Sequence, residues 1–94
     1  MALSTREGFP AFLSEENGHI PVQDGDRHWL VIVTREAMEN VAEPPDASLD
    51  RLSQYSSLFL DVATFKLEHG RAGEEDTIWV QSDDITEWQS LQTN

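Results

Sequence analysis

An α+β domain is the fold class this sequence predicts, and three observations lead to it. Asn17-Gly18 and Asp24-Gly25, two dipeptides suited to type I′ hairpin turns, lie close together among alternating residues. After Pro44-Pro45, apolar residues recur at three- and four-residue steps over a long stretch. A β-branched and aromatic run, Thr77 to Ser82, then follows. The expected architecture is an antiparallel sheet of about four strands, an N-terminal meander plus a C-terminal strand, packed against one short and one long helix. At 94 residues the chain suits a single domain over 1–94, with a modest core that needs no covalent staples.

The meander strands are expected over Phe9 to Ser14, His19 to Gln23 and Arg27 to Val33. With Asp24-Gly25 as a two-residue loop, Val22 faces Arg27 and Ile20 faces Trp29. Ile20, Val22, Trp29, Val31 and Val33 then share the core face. Pro21, His28, Leu30 and Ile32 occupy the other face, which is partly apolar and calls for cover. Thr34 caps a short helix over 35–42, with Glu36 and Glu39 near its positive pole. Pro44-Pro45 ends it. A long helix from Ser48 to His69 aligns Leu49, Leu52, Tyr55, Phe59, Val62 and Ala63, and Gly70 stops it. Arg71 to Asp76 is a loop, and Asp83 to Leu91 forms a terminal helix in which Asp84 and Glu87 have capping-box spacing.

The succession of apolar strand, Thr34-Arg35-Glu36-Ala37-Met38 entering a helix, long amphipathic helix and closing "IWVQSDD" resembles a family of short bacterial proteins known only as a domain of unknown function. The resemblance spans about Phe9 to Ile85. It implies an α+β fold and no particular activity.

Charge narrows the function. Six Lys plus Arg stand against eighteen Asp plus Glu, a formal net charge of −12. Direct nucleic-acid binding is disfavoured, because phosphate contacts draw on basic side chains that are scarce here. Arg71 is the last of them, while Glu74, Glu75, Asp76, Asp83, Asp84 and Glu87 follow around Trp79 and Trp88. These eight residues are the expected partner-binding set: aromatic anchors with an acidic rim, suited to a basic protein surface. An inhibitor or adaptor would use them so, as phage-encoded antagonists of bacterial defence systems, anti-CRISPR proteins among them, stand in for nucleic-acid phosphates. The alternative for the tryptophans is ordinary core packing. The alternative function is a structural or regulatory homodimer that buries Leu30, Ile32 and Trp79 against a second copy.

Specific chemistries fit poorly. The segment Asp24-Gly25-Asp26-Arg27-His28 fails as a calcium loop, since its sixth position is Trp29 and its twelfth Arg35, where glycine and glutamate are needed. A zinc site from His19, His28 and Asp26 would depend on the hairpin register. No nucleophile elbow or phosphate loop is present, and adjacent acids such as Asp83-Asp84 share one environment. A non-enzymatic protein with no metal and no cofactor is expected. The absence of cysteine, of a signal peptide and of any long apolar run points to a cytoplasmic protein with no membrane partner.

Overall fold

The computed structural model describes residues 3–71, 73 and 75–92. Its strands are β1 (Ser4–Thr5), β2 (Phe12–Ser14), β3 (Asn17–Asp24), β4 (Arg27–Val33) and β5 (Thr77–Val80), and its helices are α1 (Arg35–Asn40), α2 (Leu49–Gln54), α3 (Ser56–Glu68) and α4 (Ser82–Gln92). The sheet order is β1-β3-β4-β5, with β2 also on β3. The α+β class is as expected, but the sheet is mixed. β5 runs parallel to β4, pairing Val31 with Ile78 and Val33 with Val80. A parallel pair needs a long crossover, and α1, α2 and α3 supply it.

Both hairpin turns sit off their expected dipeptides. Asp24 pairs with Arg27 and Val22 with Trp29, so the second loop is Gly25-Asp26, with Gly25 at φ +62°. Asp26 keeps a negative φ, unlike the second residue of a type I′ turn. The shift in register is two residues, which preserves side-chain parity. Ile20, Val22, Trp29, Val31 and Val33 therefore share the core face as expected. In the first hairpin Ser14 pairs with Asn17, and the turn is Glu15-Glu16, at φ +52° and +72°. Asn17-Gly18 lies inside β3 instead. The reason Gly18 is glycine is steric, since a Cβ there would stand 2.7 Å from Cδ1 of Leu52.

Pro21 shapes the outer edge of β3. Its carbonyl accepts from the Arg6 amide at 3.2 Å, but it has no N–H to continue the ladder. β1 and β2 therefore flank it as separate pieces, covering Val22–Gln23 and Asn17–His19.

Thr34 caps α1, accepting from the Ala37 amide at 3.2 Å. The long helix expected over 48–69 is two helices, broken at Tyr55 with φ −109° and ψ 20°. The break falls in Ser53-Gln54-Tyr55-Ser56-Ser57, a serine-rich stretch of low helix propensity, since serine hydroxyls can compete for backbone groups. Gly70 at φ +69° still ends α3. Phe59, Val62 and Ala63 of α3, Leu52 of α2, Ala37 and Met38 of α1 and Ile85 of α4 pack on the core face of the sheet.

Arg51 is a core residue that apolar periodicity does not reveal. It is 5% exposed and donates to the carbonyls of Met38 (2.7 Å), Ala42 (3.2 Å) and Pro44 (2.6 Å). Its guanidinium thus satisfies the carbonyl groups left open after α1, which explains how a cation is tolerated at this depth.

Candidate interaction surface

The helices pack on one face of the sheet, and the smallest molecular extent, 20 Å, matches one sheet and one helical layer. Among the described residues no helix packs on the opposite face. Its side chains form cross-strand rows fixed by the register. Phe12, His19, Ile32 and Trp79 make one row across β2, β3, β4 and β5. Pro21, Leu30 and Thr77 make the next, and Ser4, Gln23 and His28 the third. Phe12 and Trp79 remain 43% and 39% exposed, and the ring of Phe12 stacks on His19 with centroids 4.9 Å apart. Ile32, between His19 and Trp79 in the row, is buried but does not belong to the cluster packed under the helices.

None of these strand positions is acidic, although the chain has eighteen acidic residues. Seven of the acids stand at the two ends of the sheet. Glu15 and Glu16 occupy the β2–β3 turn and Asp83 the start of α4; at the other end are Asp24 and Asp26 around the β3–β4 turn and Glu75 and Asp76 before β5. Glu16 is paired with Arg35 at 3.0 Å and Asp76 with Arg27 at 2.8 Å. Side-chain parity makes such a face legible in the sequence, through Pro21, His28, Leu30 and Ile32. The contribution of Phe12 required the β2–β3 register.

The expected partner-binding residues divide among different places. Trp79 is on the open sheet face, whereas Trp88 is half-buried in the helical layer against the core. Asp76 and Glu75 lie at one end of the sheet and Asp83 at the other. Asp84 is paired with Lys66 at 2.9 Å, with both side chains largely buried. Glu87 receives both guanidinium nitrogens of Arg71, at 3.2 and 3.3 Å. Glu74 lies outside the described residues. The C-terminal carboxylates are thus not an uncompensated run, because Arg27, Lys66 and Arg71 reach them from elsewhere in the chain.

Among the described residues no group of three or more His, Asp or Glu could hold a metal ion. The observed register moves His28 opposite Gln23, away from the row of His19. A shallow cleft of about 390 Å³ at the ends of β4 and β5 is bordered by Glu16, Arg35, Glu36 and Asp83, but these residues are all exposed and Arg35 is held by Glu16 and Glu39. No described helix is long and apolar enough to cross a membrane. No protein-family model, no curated protein and no solved structure matches the chain, so the family resemblance carries no argument about its function.

Proposed function

We propose that this chain is a non-catalytic protein-binding module, an inhibitor or adaptor that engages a basic surface such as that of a nucleic-acid-binding protein. The observation that carries the reading is the fate of its cations. Arg27, Arg35, Lys66 and Arg71 are engaged by the protein's own carboxylates, and Arg51 is buried on carbonyls. Arg6 rests on the ring of Phe9 at 4.0 Å. Exposed carboxylates such as Glu15, Asp26, Glu36, Asp61, Glu75 and Asp83 therefore dominate the exterior. A field of one sign attracts a basic surface and speeds its encounter.

The test is capture of partners from a cell extract, followed by titration of the purified partner at low and high salt. Affinity should fall as salt rises, mainly through slower association, and a nucleic-acid ligand of the partner should compete. A partner indifferent to salt and to that competitor would overturn the reading. The homodimer alternative rests on the open sheet face, and self-association measured by light scattering addresses it directly.

A further inference from the structure

We infer that the open sheet face is the contact surface, and that its partner is a protein presenting an apolar centre inside a rim of lysine or arginine. The inference rests on the protein-binding reading above and adds where the partner sits and what it must look like. Two features, separate in origin, coincide on this face. Phe12, His19, Ile32 and Trp79 line up across four strands with an exposed aromatic ring at either end. Carboxylates are missing from its strand positions, while seven of them flank the places where the strands end. Such a layout is that of an interface core with a charged rim, in which the centre is desolvated and the edges steer.

Charge chooses between the possible occupants. A second copy would have to bring one molecule of charge −12 against another. In an isologous contact the same patch meets itself, so carboxylates at the strand ends would approach carboxylates. Glu15 and Asp83 at one end, and Asp26 and Glu75 at the other, instead provide acceptors for a cationic rim. A uniformly basic partner with no apolar centre would leave Phe12, Leu30 and Trp79 in water.

Three synthetic peptides separate these cases, one alternating lysine with leucine, one lysine with serine and one glutamate with leucine, each titrated into the labelled protein and followed by amide chemical shifts. The lysine–leucine peptide should bind, and its shifts should map to Phe12, His19, Leu30, Ile32 and Trp79 and to the acidic strand ends. Raising salt from about 50 to about 300 mM should weaken it. The double variant Phe12→Ser with Trp79→Ser, whose rings are already exposed, should lower affinity about tenfold or more. Mapping on the unmodified protein keeps the test decisive if that variant does not fold. If the lysine–serine peptide binds equally well, or the shifts scatter over the surface, the contact surface is wrong while the basic-partner reading stands. Equal binding of the glutamate–leucine peptide overturns the charged rim. Concentration-dependent dimerisation that shifts the same residues gives the face to a second copy and overturns the inference. No binding by any peptide removes both it and the basic-partner reading.

Discussion

Lys66 and Asp84 together close the outer edge of β5. The Lys66 Nζ lies 2.9 Å from Oδ2 of Asp84 and donates to the Trp79 carbonyl at 2.6 Å, while the same Oδ2 accepts from the Gln81 amide at 2.9 Å. Val80 and Asp76 direct their carbonyls toward β4, accepting from Thr34 and Leu30. Thr77, Trp79 and Gln81 accordingly point outward, where Gly73 donates to the Thr77 carbonyl at 2.8 Å. An edge strand with open backbone groups invites pairing with another chain. Here an ion pair and a loop glycine occupy those groups, and the Asp84 carboxylate also secures the first turn of α4 in the position that a capping box gives its third residue.

Removing one member of this pair strands the other. Lys66→Met should destabilise the fold by roughly 3 kcal/mol, because both side chains are largely screened from solvent. It should also expose the Trp79 carbonyl, so light scattering should show more self-association than in the parent. An unchanged urea midpoint together with unchanged scattering would show that the pair neither stabilises the fold nor guards the edge.

Arg51→Met leaves three inward carbonyls without a donor. A loss of about 2–4 kcal/mol is expected, and Arg51→Lys should recover little, since one ammonium cannot reproduce the planar fork that reaches Met38 and Pro44 together. Chemical denaturation of both variants measures this. Full rescue by lysine would mean that positive charge alone matters at this site.

Phe59 is fully buried at the centre of the core. Phe59→Ala should cost about 3–5 kcal/mol, a large share of what a domain this size possesses. A melting temperature equal to that of the parent would place the α3 stripe somewhere other than against the sheet.

The two informative glycines should respond differently. Gly25 has φ +62°, and a Cβ added there would meet only open space, so Gly25→Ala should cost about 1 kcal/mol through backbone strain alone. Gly18→Ala places a methyl group against Leu52, at a cost of about 1–3 kcal/mol from overpacking. Pairing it with Leu52→Ala should give less than additive destabilisation. Strict additivity in a double-mutant cycle would show that the two sites do not touch.

Legibility from the sequence follows the kind of physics involved. The core face of β3 and β4 depends on parity, so a register difference of two residues leaves Val22 and Trp29 on the correct side. Thr34 as a cap and Gly70 as a stop are local, and they too can be read. The break at Tyr55 is hidden because Leu52, Phe59 and Val62 keep helical spacing across it. The direction of β5 depends on which neighbour it joins after a crossover of more than forty residues, and no local pattern encodes that. The C-terminal acids look like an uncompensated field in the sequence for the same reason. Asp76 finds Arg27 across 49 positions of chain and Asp84 finds Lys66 across 18. Asp26, in the turn that introduces β4, shows the limit from the other side: its residue types suggest a ligand, but its place is a hairpin loop.

The carboxylates should separate into two functional groups when neutralised. Asp76, Asp84 and Glu87 are spent on Arg27, Lys66 and Arg71, so amide replacements there lower the net negative charge by three, remove internal partners and release cations, and they should destabilise the fold as well as weaken the field. Glu15, Asp26, Glu75 and Asp83 are exposed at the ends of the sheet. Their joint replacement by Gln or Asn should leave the melting temperature within a few degrees of the parent, as surface changes away from specific contacts shift stability by about 0.5 kcal/mol or less each. The same variant should slow association with a basic partner and flatten its dependence on salt, because screening acts on the field those four groups produce. Dissociation should change less. Stopped-flow kinetics of both sets against one partner reads the difference. Losses in proportion to the charges removed, three against four, would mean that net charge alone governs the encounter and that the position of the carboxylates around the open face is immaterial.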